Sequence, residues 1–285
     1  MIRKILFAAD SLISSFAQEW LMSGDIAVVM DVAGTILRMY RVAKDIGRGV
    51  LLEKVVTWEL IMEKKDRALV VPQIDPDLIR SSRPDELLGT LVLGRDESVE
   101  ISCSSSPVSR DEVLGILEGS QVRVRELQEA YLAVRAKCPG IYRTCGMIVD
   151  KGAQEIVYAL STGGAPFPGL GNVLRELENI GADVYVASGD SMRSLTSLKE
   201  YGIDLSRIYP TASPRRKKEI IVDLKKKYRR VVMVGDGLND LYALRAADTG
   251  VLTVQQDTRP ALKLRQAANE IICNIQELPD IIKRI

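Results

Sequence analysis

Residues 26–35 read Ile-Ala-Val-Val-Met-Asp-Val-Ala-Gly-Thr. Five consecutive apolar residues, Ile26–Met30, run directly into the carboxylate of Asp31. An unbroken apolar run of this length, bounded by polar residues, suits a strand buried on both faces, as in a parallel sheet. In open α/β sheets ligands bind beyond the carboxyl ends of the strands, so Asp31 is expected on that rim. Gly34 permits a tight turn and a close backbone approach, and Thr35 offers a hydroxyl beside it. Alone, the stretch also fits an ordinary strand end with an Asp-initiated turn. Two distant segments tip the balance. Val231–Asp240 repeats the design, an apolar strand running into Asp236 with Asn239 and Asp240 behind it, and Val184–Ser191 ends a third strand in Ser188-Gly189-Asp190. Three such strand ends would gather a hydroxyl and several carboxylates on one rim. Clustered carboxylates repel one another and need a cation. Hard oxygen donors in a chain without histidine favour Mg²⁺.

Taken together, these segments resemble the haloacid dehalogenase superfamily of aspartate-nucleophile phosphotransferases. Its four motifs match in order. Asp31-Val32-Ala33-Gly34-Thr35 fits the nucleophile motif D-x-x-G-T, and Ser188 fits the Ser/Thr motif. Pro214-Arg215-Arg216-Lys217-Lys218 fits the lysine motif, and Gly235 to Asp240 fits the acidic motif G-D-G-x-N-D. From Ile156 to about Val254 the chain is most similar to the phosphorylation domain of P-type ATPases, a pattern that continues through Ala243-Leu244 and Ala246–Val251.

The resemblance implies an α/β fold, a doubly wound parallel sheet of the Rossmann-like kind, with an inserted smaller α+β cap domain. It also implies site roles. Asp31 would be the nucleophile that forms an aspartyl phosphate. Mg²⁺ would be held by Asp31, Asp236 and the main-chain carbonyl of Ala33, with Asp240 and Asn239 holding the metal's waters or the loop. Gly34, Thr35, Gly189 and Asn239 would line the phosphate, and Ser188 would donate a hydrogen bond to it. A lysine would neutralise phosphate oxygens as a point charge. Counting back from Gly235 in the P-type ATPase pattern, with Pro214 leading the helix, the resemblance selects Lys217; Lys218 points about 100° away on a helix.

The departure is Ala33. Most phosphatases of the superfamily carry a second aspartate there, as general acid and then general base, a contribution worth ~10²–10⁴-fold. A methyl group does neither. The expected reaction is therefore hydrolysis of a small phosphorylated compound that is slow, or that prefers good leaving groups. The alternative is a regulatory protein that binds phosphate or Mg²⁺ and changes shape when Asp31 is phosphorylated, with little turnover.

Composition sets the outer bounds. The 285 residues carry a formal net charge of +1 and are 46% hydrophobic, which fits an ordinary globular core and gives no field for nucleic acid or a membrane surface. No apolar stretch approaches the ~20 residues of a membrane span. The N-terminus lacks the apolar region of a signal peptide, and Ser11–Met22 reads as an amphipathic helix. Four separated cysteines and no histidine argue against zinc and for a reducing cytoplasmic setting. Homo-oligomerisation is left open.

Along the chain, residues 1–44 and 151–285 read as the core and residues 45–150 as the insert. Within the insert, Lys54–Met62 and Arg67–Ile74 read as a hairpin about Glu63–Asp66, and Gly89–Leu93 and Ser98–Cys103 as short strands. Ser109-Arg110-Asp111-Glu112 is a capping box opening a helix, and Val122–Lys137 is a second helix, stopped by Pro139-Gly140. Tyr142–Val149 and Glu155–Ser161 flank a turn at Asp150-Lys151-Gly152. Lys151–Glu155 superficially resembles a nucleotide-site motif of ion pumps, but a plain hairpin explains it. From Pro166 onward helices and strands alternate as in right-handed βαβ units.

Overall fold

The Ile26–Met30 run forms the middle of a sheet, where both faces of a strand are covered. In the computed structural model, residues 24–94, 99–140, 142–256 and 259–285 are described; the helix expected over Ser11–Met22 lies outside them. The strands are β1 (Gly24–Met30), β2 (Leu37–Asp45), β3 (Val50–Glu53), β4 (Arg67–Pro72), β5 (Val99–Ser104) and β6 (Tyr142–Asp150). They continue with β7 (Glu155–Pro166), β8 (Ala182–Ala187), β9 (Ile208–Tyr209), β10 (Tyr228–Gly235), β11 (Thr249–Thr253) and β12 (Glu270–Ile272). They divide into two sheets, β12-β11-β10-β1-β8-β9 and β3-β2-β7-β6-β4-β5.

The first sheet is parallel at every pairing. β1 lies between β10 and β8, and Ala27, Val28, Val29 and Met30 are fully buried. Burial of such side chains contributes ~1.5–3 kcal/mol each. The helices between the strands bury one stripe apiece. Pro214–Leu224 presents Ile220, Ile221 and Leu224 to a cluster containing Ala27, Val29, Val231 and Met233. Leu170–Asn179 buries Leu170, Val173 and Leu177. This is the doubly wound parallel arrangement expected from the alternation.

The second sheet is antiparallel at β2–β3, β7–β6, β6–β4 and β4–β5. Its core joins β4 and β6 to helices Leu88–Leu93, Arg110–Gly119 and Val124–Lys137. The capping box is formed, with Ser109 accepting from the Glu112 amide. Tyr131 is fully buried, and its hydroxyl donates to Asp77 at 2.6 Å and accepts from Arg143 at 3.0 Å.

Two local expectations are corrected. Thr57–Met62 is a helix, so Lys54–Met62 is not one arm of a hairpin with β4. Leu60 and Ile61 pack into a cluster with Ala43, Ile148 and Leu160, and tertiary burial overrides the β-like composition. Leu88–Leu93 is likewise helical where Gly89–Leu93 reads as a strand. A short apolar run does not tell a strand from a buried helix. Leu88, Gly89, Leu91 and Val92 are all buried.

The chain separates into one unit comprising Met1–Arg38 with Pro166–Ile285 and another comprising Met39–Ala165. The crossings at 38/39 and 165/166 lie outside the 44/45 and 150/151 boundaries read from the sequence. β2 and β7 are long strands, of 9 and 12 residues, and both belong wholly to the antiparallel sheet. Composition marks the turns at their far ends rather than the crossings.

Two glycines of this second unit make opposite predictions. A Cβ at Gly89 would collide with the backbone carbonyl of Leu117, whereas one at Gly115, in mid-helix, would meet nothing within 4 Å. Gly89→Ala is expected to destabilise by at least ~2 kcal/mol, and Gly115→Ala to stabilise by about 0.5–1 kcal/mol. Urea unfolding of the two variants measures both. A Gly89 variant as stable as the parent would contradict this packing.

Candidate functional site

Strand register builds the rim. Met30 lies opposite Val234 on one side and Val186 on the other. The chain therefore leaves β1 at Asp31 beside Gly235-Asp236 and Ala187-Ser188. The Asp31 amide donates to the Val234 carbonyl at 2.9 Å, which holds the first residue beyond the strand in line with it. The next turn closes on one acceptor: the amides of Thr35, Ile36 and Leu37 all reach the Val32 carbonyl, at 3.3, 3.0 and 2.9 Å. Gly34 has φ +76°, and a Cβ there would fall on the carboxylate of Asp236. The glycine is required both by the left-handed backbone and by this close approach.

Lys217 comes from the first turn of helix Pro214–Leu224, where Pro214 sits at the helix start and the Ser213 hydroxyl accepts from the Arg216 amide at 3.2 Å. Its side chain is only 1% exposed as a residue. Nζ donates to Asp31 Oδ1 at 2.6 Å and to Asp240 Oδ1 at 2.7 Å. Lys218 is exposed, as the helical angle requires. The other oxygen of Asp240 accepts from the amides of Asp236 and Gly237, both at 3.2 Å. Asp240 thus ties the lysine to the acidic turn. Oxygens of Asp31, Asp236 and Asp240 lie within 4.8 Å of one another. Asp31 Oδ2 is buried and accepts no hydrogen bond, and the buried Thr35 hydroxyl also lacks a partner.

Burial pushes the Asp31 carboxyl up to about 7, against the Lys217 ammonium, which favours the anion, while Asp240 adds to the rise. For Lys217, burial works against the charged form, but Asp31 and Asp240 outweigh it and hold the ammonium above its usual range. The lysine stays charged at neutral pH, and the nucleophile candidate can exchange a proton there.

Ser188 is buried at the end of β8. Its amide donates to the Tyr209 carbonyl at 3.1 Å and its hydroxyl to Asp190 Oδ2 at 2.9 Å. Gly189 and Asn239 are exposed, and Ala33 is half-buried in the turn between Asp31 and Gly34. The structure thus gathers Asp31, Asp236, Asp240 and Lys217 into direct contact range and puts Ser188 at the neighbouring strand end. Among the described residues it gives Gly189 and Asn239 no hydrogen bond to the carboxylates.

Two participants were missed from sequence. Asp190 accepts the Ser188 hydroxyl; the Ser-Gly-Asp spacing is its only signal in the sequence. Gln255 donates from Nε2 to the Thr35 carbonyl at 2.8 Å and accepts the Ile275 amide at 3.0 Å, bracing the Asp31 turn from 220 residues away. No local pattern announces it.

A divalent metal is tested by the donor set itself. Three carboxylates in reach of one point, one with a buried unpartnered oxygen, suit a hard cation such as Mg²⁺. Among the described residues no helix is long and apolar enough to cross a membrane, and all four cysteines are free thiols.

Known proteins bear on this geometry. The haloacid dehalogenase-like hydrolase family matches residues 27–248. A soluble P-type ATPase-like phosphatase of Methanocaldococcus jannaschii is 31% identical over 264 residues, covering 91% of this chain and 94% of that one. A probable copper-importing P-type ATPase A of Enterococcus hirae is 37% identical over 79 residues, 27% of this chain and 11% of that one. A solved catalytic CPx-ATPase domain aligns with 95% of this chain and 93% of its own, with a TM-score of 0.41 and 20% identity. With residues 27–248 matched and a relative aligned along nearly its full length, the chain belongs to the haloacid dehalogenase-like hydrolases.

Proposed function

We propose that the chain is a Mg²⁺-dependent phosphatase that acts on a small phosphorylated compound through an aspartyl phosphate at Asp31. The observation that carries this reading is the Asp31 carboxylate. One oxygen is held by a buried lysine, the other is buried and unpartnered, and both lie at the carboxyl rim of a parallel sheet beside two further carboxylates. A carboxylate so fixed presents a lone pair in a set direction, which is what in-line attack on phosphorus needs.

Asp31, Asp236 and the Ala33 carbonyl would hold Mg²⁺, with Asp240 supporting Asp236 through its amide. The bound ion would supply positive charge against the phosphoryl oxygens. Asp31 Oδ2 forms the bond to phosphorus as the bond to the leaving oxygen breaks and its electron pair departs with that oxygen. Lys217 keeps Asp31 oriented and offsets the charge of Asp31 and Asp240. The Ser188 hydroxyl turns from Asp190 to a phosphoryl oxygen, and the Gly34, Thr35 and Gly189 backbone and Asn239 frame the remainder. Water then cleaves the acyl phosphate and restores Asp31. At position 33 a methyl group stands where a proton donor would assist departure, so the first step favours leaving groups that need no proton.

The same methyl favours a second reading, a phosphorylated switch with little turnover. The two part on one measurement: release of phosphate from substrate supports the hydrolase, and label retained on Asp31 supports the switch.

Hydrolysis of p-nitrophenyl phosphate is expected to need Mg²⁺, to stop with a chelator, and to fall by at least ~10³-fold in Asp31→Asn. Ala33→Asp is expected to raise the rate on an alkyl phosphate by up to ~10²–10⁴-fold; an unchanged or lower rate would count against the assigned role of Ala33. A third expectation concerns metal-free protein. The folded Asp31 carboxyl titrates at about 7 against an ordinary 3.8, so the folded state binds the extra proton between those values. Its contribution to stability is present at low pH and is lost as pH rises through that window. Urea midpoints in chelator at pH 5 and pH 8 should therefore drop more for the parent than for Asp31→Asn. Equal drops would show that burial does not raise this group.

A further inference from the structure

The antiparallel unit contains a cavity of about 870 Å³ at one end of its sheet. None of its lining residues belongs to the unit that carries Asp31. It is bounded by the β2–β3 turn, the start of β4, the approach to helix Val124–Lys137 and the β6–β7 turn. These elements lie at the far end of β2 and β7 from the crossings at 38/39 and 165/166. The nine residues of β2 span roughly 30 Å of strand. The volume is that of a small-molecule site.

The walls are built rather than incidental. Tyr158, Ser120 and Asp45 are buried, and Ile46, Val122 and Ile156 add apolar surface. Arg67 lies with its guanidinium 5.4 Å from the Tyr158 ring centroid, and its buried Nε makes no hydrogen bond. Its Nη1 donates to the Leu60 carbonyl at 2.6 Å and to Glu63 at 3.1 Å, and its Nε lies 3.8 Å from Asp150, which fixes the group in place and compensates its charge.

The charges around the cavity are unequal in their pairing. Asp45 is engaged by the Arg48 amide at 3.0 Å and the Arg48 Nε at 3.7 Å. Glu126 lies 3.9 Å from Lys44 and 3.7 Å from Arg125. Arg123 donates to the Asp85 carbonyl at 2.5 Å and, among the described residues, makes no ion pair. The Arg48 side chain is 79% exposed at the mouth. Asp45 and Glu126 are thus paired, whereas Glu155, which also lines the cavity, makes no ion pair among the described residues; Arg123 and the exposed Arg48 fork keep donors beside an apolar and aromatic wall.

We propose that this cavity binds a small organic anion, an apolar or aromatic body bearing a phosphate or carboxylate group, as a site separate from the carboxylate rim. Arginine forks recognise both head groups by paired charge-assisted hydrogen bonds, and the Tyr158–Ile156 wall takes the body. The inference stands apart from the proposed hydrolase reaction.

Calorimetric titration of the full chain in chelator tests it, with phenylphosphonate, whose P–C bond resists hydrolysis, and with benzoate. Four proteins are compared: the parent, Asp31→Asn, the Arg48→Ala/Arg123→Ala double variant, and Gly119→Trp. Both arginines are exposed, and a Cβ at Gly119, which lines the cavity, meets nothing within 4 Å, so these variants should fold as the parent does. The parent and Asp31→Asn are expected to bind alike, with at least ~10-fold weaker binding in the arginine pair and in Gly119→Trp. The tighter probe identifies the head group. The proposal is overturned if neither probe binds the parent at about 10 mM, or if Asp31→Asn loses binding that the arginine pair keeps.

Discussion

A lysine ammonium buried between two carboxylates is the constraint on which the site depends. Removing Lys217, Asp31 and Asp240 from water is costly for each alone, and is tolerable only as a hydrogen-bonded set. The distances of 2.6 and 2.7 Å meet that condition. The set joins the end of β1, the first turn of helix Pro214–Leu224 and the turn after β10. Three chain segments are therefore held in register by charge at the one place where strand pairing has ended. Three carboxylates gather here around one ammonium, a cluster whose negative charge a divalent cation would reduce. Burial, with the Asp240 carboxylate adding to it and Lys217 opposing, raises the Asp31 carboxyl to about 7.

Much of the parallel sheet was legible because its strands are buried on both faces and leave long apolar runs ending in small polar clusters. The alternation of helices and strands read beyond Pro166 is the order observed from Leu170 to Thr253. The antiparallel unit was less legible where short apolar stretches owe their conformation to what they pack on. Thr57–Met62 and Leu88–Leu93 became helices through Leu60–Ile61 and Leu91–Val92 burial. The signals that survived there were local ones: the Ser109–Glu112 capping box and the turn between Tyr142–Val149 and Glu155–Ser161.

The site divides in the same way. Asp31, Asp236 and Asp240 were readable because they sit in short glycine-containing turns that follow apolar strands, and Lys217 because it falls at the lysine position of the P-type ATPase pattern in a helix that Pro214 opens. That Lys217 binds Asp31 and Asp240 directly was not readable, since the pairing spans 186 residues in one case. Nor was Gln255, whose amide matters through a backbone carbonyl and an amide of two remote segments. Such residues have no type or spacing of their own; only the fold selects them.

Glycine supplies the last step. Gly34 lies so close to Asp236 that no side chain fits, and a Cβ at Gly235 would stand 2.5 Å from the Asp240 carboxyl carbon. The first contact presses the Asp31 turn against the acidic turn, and the second packs the acidic turn on itself. Their carboxylates are set at short range by steric contact and by Lys217 before any cation is considered, which is the preorganisation that favours a transition state over its reactants. Ala33 lies inside this interlock, between Asp31 and Gly34. A residue there inherits the same fixed position, so under the proposed reaction a carboxyl at that point would let the frame move a proton. In the proposed reaction this frame would orient Asp31 for attack on phosphorus, and the methyl group of Ala33 would leave it without a proton relay.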